Sequence, residues 1–320
     1  MINPDKIIVG IRDSKLSQIQ TQEFISLAEK NIVGINQNTF QIKFIKTTGD
    51  VHNSERLDKI GGKGLFVKEI ESHILNGEID IGVHSMKDMP AISHNELEIF
   101  CLMDRLDNSD ALVSNSGKKL ENLDSGAVIG TSSIRRRAQI LSVRSDLNIK
   151  LLRGNVDTRM KKLRNKEYNA IILAYAGLKR LGMEEEITEK LDQQLFLPAG
   201  GQGTVGIQSK KNSNLKKIFN SINNKNSEFT NYAERQFLRT IDANCNSPVG
   251  VKSEIVNNSI KICSHILSHN GKLLFSHSLI DEKHKFNEIG TNLGNIALDE
   301  LGKDKINKLD EFKDDFDYTP

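Results

Sequence analysis

Short apolar runs alternate with amphipathic stretches in the first hundred residues. The runs have the length and composition of buried strands, and one of them alternates apolar and polar positions as a half-buried strand does. The predicted strands are 6–11, 39–46 and 79–84. A helix is predicted at 14–30, and a second opens at the Gly-rich segment 61–64 and ends at Gly77. Strands that alternate with helices predict βαβ units and a mostly parallel sheet.

The same alternation starts again after residue 105. The predicted strands of this second half are 127–130, 148–152 and 169–174, followed by helices that begin near Ser133, after Val156 and after Gly177. Turn-forming residues at 197–201 and an Asn-rich stretch at 222–227 separate this half from the rest. A smaller region follows, with a helix at 228–241, hairpin strands within 254–280 and a helix at 286–301.

Composition limits the class of protein. The chain has 320 residues, of which 37% are hydrophobic and 27% charged, so it can bury real cores and is not expected to be fibrous or disordered. No apolar run approaches the ~18 residues of a membrane span, and the first residues do not resemble an export signal. Three cysteines without a CxxC pair favour a reducing, cytoplasmic setting over a disulfide framework. His265 and His269 have no companions that would make a metal site.

Positive charge is concentrated in one segment. The net charge of the chain is +2, but residues 131–164 hold seven Arg and three Lys against two Asp. Hydroxyl and arginine side chains in and just beyond this segment follow three predicted strands, at 131–136, at 153–155 and at 176–180. Ligands of open α/β sheets bind at the carboxyl ends of strands, near helix N-termini. The sequence therefore predicts a site for an anion at this edge.

Two residues outside that segment are candidates for chemistry. Asp88 closes the segment HSMKD, which follows a predicted buried strand without a gap. Its carboxylate can transfer protons or balance a cationic intermediate, but a turn aspartate before Pro90 explains the same spacing. Cys245 lies on a predicted loop and can be a nucleophile, an attachment point or an inert thiol. His84 is expected to be a packed strand residue.

Taken together, the motifs resemble the porphobilinogen deaminase (hydroxymethylbilane synthase) family. The resemblance runs from residue 6 to about residue 250 and continues more weakly to the C-terminus. It rests on eight strings that occur in the family's order, IRDSKLSQIQ, TTGD, GGKGLFVKE, DIGVHSMKDMP, GTSSIRRRAQ, RGNVDTR, ILAYAGLKRLG and LPAGGQGTVGI. One such string is weak evidence, whereas eight in order are very specific.

The resemblance implies an α/β protein with two doubly wound lobes, similar to two-lobed anion-binding proteins, and a small C-terminal α/β domain. The implied domains are 1–104 with 203–222, then 105–202, then 223–320. Enzymes of this family join four porphobilinogen molecules head to tail with loss of ammonia and release the linear tetrapyrrole by hydrolysis. They carry a dipyrromethane cofactor on a cysteine, which matches Cys245 here. A cytoplasmic monomer is the family expectation.

The resemblance also assigns roles to residues. Asp88 matches the catalytic acid. Positions matching cofactor-binding residues are Ser14, Lys87, Thr131, Ser133, Arg135 and Arg136. Positions matching substrate-binding residues are Arg12, Arg153, Arg159, Arg180, Gln20 and Lys63, and Ser132 and Gln202 line the same predicted cleft. Each porphobilinogen carries two carboxylates, so many arginines suit a growing polyanion, because a guanidinium pairs with a carboxylate through two hydrogen bonds.

This chain departs from the family pattern in two places. Ala243 and Asn244 precede Cys245 where the family has a Gly and another small residue, and Ser247 replaces a β-branched residue. Asn tolerates left-handed backbone angles and can keep the loop shape, whereas Ala cannot do so for the same reason. Gln208 stands where an acid is common.

Two other functions use some of the same features. A non-catalytic two-lobed polyanion-binding protein needs the same sheets and arginines, but not the HSMKD segment or Cys245. A nucleic-acid-binding protein could use residues 131–164, but only 5% of the residues are aromatic and none is Trp, which leaves few stacking surfaces. A steep salt dependence of DNA binding distinguishes that class. The sequence favours an enzyme whose partner is porphobilinogen, without nucleic acid, membrane or metal.

Overall fold

A computed structural model describes residues 6–47, 67–244 and 246–310. The chain forms two compact units. Unit 1 comprises Met1–Leu106 and Gly203–Glu228, and unit 2 comprises Asp107–Gln202 and Phe229–Pro320. Each unit thus joins two segments that are distant in sequence.

The described strands and helices are named in chain order. The strands are β1 (Ile7–Arg12), β2 (Phe40–Ile45), β3 (Ile81–Ser85), β4 (Leu97–Leu102), β5 (Asp110–Ser114), β6 (Val128–Gly130), β7 (Asn148–Lys150), β8 (Ala170–Ala174), β9 (Glu189–Lys190), β10 (Val205–Lys210), β11 (Val249–Val256), β12 (Ser259–Leu267) and β13 (Leu273–Glu282). The α-helices are α1 (Lys15–Asn31), α2 (Lys68–Leu75), α3 (Ile134–Val143), α4 (Val156–Arg164), α5 (Tyr175–Arg180), α6 (Leu215–Phe219), α7 (Lys225–Thr240), α8 (Phe286–Leu301) and α9 (Lys303–Asn307).

Unit 1 contains a five-stranded sheet in the order β2-β1-β3-β10-β4. Strand β1 pairs in parallel with β2 and β3, whereas β10 is antiparallel to both of its neighbours. Helix α1 contributes the fully buried Phe24, whose ring packs against Phe219 with centroids 5.3 Å apart. This apolar layer holds the sheet in place, so the ends of its strands are fixed positions for polar side chains.

Unit 2 contains a sheet with the same arrangement, in the order β7-β6-β8-β5-β9. Strand β6 pairs in parallel with β7 and β8, and β5 is antiparallel to β8 and β9. In each of these two five-stranded sheets, four strands therefore run in one direction and one strand runs in the other. The expectation of mostly parallel sheets is confirmed, and the reversed strands β5 and β10 are additions that the sequence reading missed, together with β4 and β9.

A second sheet in unit 2 is the antiparallel meander β11-β12-β13. Its turns lie at Asn257, with φ +58°, and at Gly271, with φ +90°. The turn at Gly271 packs closely on α3, because a Cβ there would lie 2.5 Å from the backbone nitrogen of Ser142. Arg137 of α3 donates to the carbonyl of His269 in the same turn at 2.6 Å. The meander and the helix that follows β6 are thus directly in contact.

Most predicted elements agree with the observed ones to within a few residues. Helix α8 spans the predicted 286–301, and α1 is displaced by one residue. Helix α5 begins at Tyr175, whereas the prediction placed its start after Gly177. The division into three domains stays a prediction. In the described part of the chain, no helix is both long and apolar enough to span a membrane.

Candidate active site

The carboxyl ends of β1 and β3 bring two predicted site residues together in unit 1. Arg12 is the last residue of β1, and Asp88 ends a short 3-10 turn (Met86–Asp88) that follows β3 without a gap. Arg12 Nη1 lies 3.8 Å from Asp88 Oδ2, and their side chains are 25% and 31% exposed. The Asp88 carboxylate is therefore reachable from solvent and lies next to a cation.

Two residues of α1 organise the same region. Gln20 is buried, and its Nε2 donates to the hydroxyl of Ser85, where the Asp88 turn begins, at 2.9 Å. The Ser85 hydroxyl lies 3.2 Å from Gln20 Oε1, so the two side chains bond reciprocally. Ser14 is the N-cap of α1 and accepts from the N–H of Ser17 at 3.2 Å. Both predicted ligand residues thus have roles within unit 1, and their contacts with a ligand stay predictions.

The remaining predicted residues of this half are Lys87 and Lys63. Lys87 is half-buried in the turn beside Asp88. Lys63 lies outside the described residues, as does Cys245 of the C-terminal region. Their assignments stay predictions from the family motifs.

His84 is buried in β3, four residues before Asp88. It is 5% exposed, and its Nε2 has no hydrogen-bond partner among the described residues. Burial lowers the pKa of His84 from 6.5 to about 4, and the positive charge of Arg12 lowers it as well. The Gln208 side chain raises this pKa, but its effect is weaker than that of burial. Gln208 donates to Glu71 at 2.8 Å. His84 is therefore neutral at pH 7, and its position inside the sheet agrees with the expectation of a packed strand residue.

In unit 2 the predicted polar residues follow the parallel strands β6, β7 and β8. Thr131 comes directly after β6 and is 1% exposed, and its Oγ1 accepts from the N–H of Ser133 at 3.1 Å. Ser133 is the N-cap of α3. Arg153 follows β7, is 8% exposed, and precedes Gly154, whose φ is +109°. Because β6 lies between β7 and β8, these residues share one edge of the sheet, as predicted.

Arg135 and Arg136 of α3 are buried and share one carboxylate, that of Asp110. Arg135 Nη1 donates to Asp110 Oδ2 at 2.7 Å. Arg136 donates to Asp110 Oδ1 from Nε at 3.1 Å and from Nη2 at 2.7 Å. The side chains are 5%, 7% and 0% exposed in the order Arg135, Arg136 and Asp110. The cluster of two cations and one anion has a net charge of +1.

The electrostatics of this cluster suit a carboxylate ligand. Burial by itself raises the pKa of Asp110, but the two guanidinium groups outweigh it and hold that pKa well below its usual range. Burial lowers the pKa of Arg135, and Asp110 opposes that effect. Arg135 Nε is buried and has no hydrogen-bond partner among the described residues. A buried donor with no acceptor is costly, so this cluster fits a carboxylate ligand.

Arg159 and Arg180 lie on the helices that follow β7 and β8. Arg159 Nε donates to the carbonyl of Gly154 at 2.7 Å. Arg180 is the last residue of α5. The structure thus places both arginines in unit 2, and their binding of substrate stays a prediction.

The residues around Cys245 explain how the loop tolerates its departures from the family pattern. Asp242, two residues beyond the end of α7, has φ +49°, and the N–H of Ala243 donates to the carbonyl of Leu238 at 2.9 Å. This is the capping arrangement in which one residue takes a left-handed conformation, and here that residue is Asp242 rather than Ala243. The concern about an alanine at 243 was wrong, because Ala243 is not among the residues with positive φ.

Asn244 and Ser247 bond to each other across the loop. The N–H of Asn244 donates to Ser247 Oγ at 2.9 Å, and the N–H of Ser247 donates to the carbonyl of Asn244 at 3.1 Å. Asn244 Oδ1 also accepts from the N–H of Asn246 at 2.8 Å. The Ser247 hydroxyl and Asn244 Oδ1 each accept a backbone N–H within this loop, which a valine at 247 and a glycine at 244 could not do.

Sequence reasoning missed Asp110 and the contact that Gln202 makes with it. Gln202 Nε2 donates to Asp110 Oδ1 at 2.9 Å and to the carbonyl of Asn108 at 2.7 Å. The available signal was a charged residue directly before the apolar run 111–113, an unusual start for a buried strand. Among the residues that the structure covers, no cluster of His, Cys, Asp and Glu side chains could hold a metal ion.

Comparisons with known proteins agree over most of the chain. Residues 7–217 match the family described as porphobilinogen deaminase, dipyromethane cofactor binding domain. Residues 229–299 match the porphobilinogen deaminase C-terminal domain. A porphobilinogen deaminase of Bacillus cereus is 42% identical over 301 residues, which covers 93% of this chain and 94% of that protein. One of Bacillus thuringiensis subsp. konkukian is 44% identical over 278 residues, with coverage of 86% and 89%.

Solved structures show weaker similarity. The periplasmic VFT2 domain of Bordetella pertussis BvgS aligns with a TM-score of 0.42 and 13% identity, over 68% of this chain and 87% of that one. A putative methionine-binding lipoprotein of Bacillus subtilis aligns with a TM-score of 0.41 and 14% identity, over 68% and 90%.

Proposed function

This chain belongs to the porphobilinogen deaminase family, and we propose that it performs that family's transferase reaction. In this reaction four porphobilinogen molecules are joined head to tail, ammonia leaves each time, and the linear tetrapyrrole hydroxymethylbilane is released by hydrolysis. We assign proton transfer and charge stabilisation to the end of β3 in unit 1. Carboxylate binding is assigned mainly to the edge of the sheet in unit 2.

Asp88 is the proposed catalytic residue. Loss of ammonia from porphobilinogen leaves an electron-deficient pyrrole with positive charge at its nitrogen, and a nearby carboxylate stabilises that charge. The same carboxylate can accept and return a proton as the ring loses and regains aromaticity. Arg12, 3.8 Å away, is a cation next to Asp88.

Carboxylate binding is assigned to the hydroxyls and guanidiniums after β6, β7 and β8 and to Arg12. Each added pyrrole brings one acetate and one propionate, so the negative charge of the growing pyrrole oligomer increases by two at every step. The observation that carries this assignment is the buried Arg135–Arg136–Asp110 cluster, which has one positive charge in excess and an unpartnered donor at Arg135 Nε. A carboxylate supplies both the missing charge and the missing acceptor.

Cys245 is the proposed attachment point of the dipyrromethane cofactor. When bound, this group supplies the primer that porphobilinogen units extend. The residues beside Cys245 hold the loop by three hydrogen bonds between Asn244, Asn246 and Ser247.

The intact mass of the purified protein tests the attachment. We expect an excess of two linked pyrrole units in the wild-type chain and the bare polypeptide mass for Cys245→Ser. Cys263→Ser is a matched control, because Cys263 is a half-buried free thiol on β12 and should keep the excess mass. If the wild-type protein stays bare even after incubation with preassembled tetrapyrrole, the alternative of a non-catalytic polyanion-binding protein gains support.

Replacement of Asp88 tests the catalytic assignment. Asp88→Asn keeps the shape and removes the charge, so we expect turnover to fall by about 10²–10³-fold, the usual effect of losing one electrostatic stabiliser. The cofactor mass and the unfolding midpoint should stay unchanged. Glu96→Gln, an exposed carboxylate of the same unit, should keep full turnover. Turnover of Asp88→Asn within a few-fold of wild type would contradict the role.

We also propose that the enzyme works in the cytoplasm as a monomer. A chain with three cysteines and no CxxC pair suits a reducing compartment. Sedimentation of the purified protein tests the oligomeric state, and a mass near 35.9 kDa is expected. A salt titration of DNA binding tests the nucleic-acid alternative, for which a steep dependence on salt would be required.

A further inference from the structure

Asp110 is a buried carboxylate that none of the proposed steps uses. It opens β5 and is 0% exposed. Because Asp110 pairs with Ala174 at the end of β8, it lies at the edge of the sheet that carries the anion-binding residues. Both of its oxygens accept hydrogen bonds, Oδ2 from Arg135 and Oδ1 from Arg136 and Gln202.

Arg135 and Arg136, which Asp110 contacts, lie where a positive charge is electrostatically unfavourable. Both lie in the first turn of α3, where the helix dipole repels positive charge. They are adjacent in sequence and desolvated, so each also raises the free energy of the other. One carboxylate between them removes much of this cost and leaves a single excess positive charge.

Asp110 also fixes the geometry of the two guanidinium groups. It holds Arg136 through two nitrogens, Nε and Nη2, and the third nitrogen, Nη1, donates to the carbonyl of Ile172 at 3.0 Å. It holds Arg135 through Nη1 alone, a nitrogen that also lies 2.8 Å from the carbonyl of Leu197. The Nε edge of Arg135 is left over. A planar guanidinium held along one edge presents its other edge in a fixed direction.

We propose that Asp110 is a positioning residue for carboxylate binding, which aligns Arg135 and Arg136 for the carboxylates of cofactor and substrate. This inference rests on the proposed function. Asp110 touches no reacting atom, and it acts through the two arginines. Asp110 and the ligand are both negatively charged, so Asp110 by itself repels the polyanion.

Because of this repulsion, an effect of net charge and an effect of alignment predict opposite results for the same variant. If only net charge mattered, Asp110→Asn would strengthen the binding of a polycarboxylate, because it raises the charge of the cluster from +1 to +2. If Asp110 aligns the guanidiniums, the same change weakens binding, because an amide accepts through one oxygen only and releases an arginine. Asp110→Glu keeps the charge and moves the carboxylate by one methylene group, so it tests alignment without changing the charge.

The test compares these variants with Glu234→Gln in the fully loaded enzyme. Glu234 is a matched control, since it is 0% exposed in the same unit and accepts from the N–H groups of Gly201 and Ser253. We expect Asp110→Asn and Asp110→Glu to raise the KM for porphobilinogen at least tenfold with a smaller change in kcat. The fraction of chains that carry the cofactor, read from intact mass, should fall as well.

The outcomes are distinct. A KM for Asp110→Asn that is unchanged or lower than wild type overturns the inference. An equal rise of KM in Glu234→Gln also overturns it, because the effect is then one of general stability. If Asp110→Asn does not fold, Asp110→Glu decides, and a wild-type KM in that variant refutes alignment. A wild-type protein without cofactor or turnover refutes the proposed function instead.

Discussion

Acidification should destabilise unit 1 through His84. This side chain is buried in β3, and burial lowers its pKa from 6.5 to about 4 in the folded protein. In the unfolded chain it titrates near the ordinary value of about 6.5. Between these two values the unfolded state binds more protons, so the free energy of unfolding falls as the pH falls. At about 1.4 kcal/mol per pH unit, the loss reaches about 3 kcal/mol near pH 4.

Urea unfolding at several pH values between 7.5 and 4.5 measures this loss. His84→Asn removes the titrating group, so its free energy of unfolding should fall less steeply with pH than that of wild type, whatever its stability at pH 7.5. His94→Asn is the matched control, because His94 is an exposed histidine of the same unit and the wild-type slope should persist. Identical slopes for wild type and His84→Asn between pH 6.5 and 4.5 would refute the reasoning.

Two further predictions concern unit 2. Gly271→Ala should lower the free energy of unfolding by about 2–4 kcal/mol, because φ is +90° and a Cβ would lie 2.5 Å from the backbone nitrogen of Ser142. Gly117→Ala is the control. Its φ is +68° and the space around it is open, so this variant should lose only about 1 kcal/mol. Thermal and urea unfolding of both variants check this, and equal losses would contradict close packing. Ser247→Val should increase amide exchange at Asn244 and cost about 1 kcal/mol, because the backbone N–H of Asn244 loses its acceptor, Ser247 Oγ. Unchanged exchange at Asn244 in this variant would contradict the hydrogen bond.

The sequence determined the local structure and much of the site's location. Helix α8 was predicted to the residue because its apolar positions recur at the helical period, and that period depends only on nearby residues. The proximity of Arg12 and Asp88 has a simple cause in the sheet. Arg12 ends β1 and Asp88 follows β3, and neighbouring parallel strands place their carboxyl ends side by side.

Only the tertiary structure decided how the buried charges are satisfied and which strands are reversed. Asp110 lies 25 residues from its nearer arginine, and no local period connects them. The reversed strands β5 and β10 are short and lack a clear alternation, because they are buried on both faces, and their direction is set by the partner strands. The hydrogen bond from the N–H of Asn244 to Ser247 Oγ likewise depends on the conformation of the loop. Hydrophobic periodicity is a local property of the chain, whereas the pairing of charges, strands and loop amides depends on which distant segments the fold brings together.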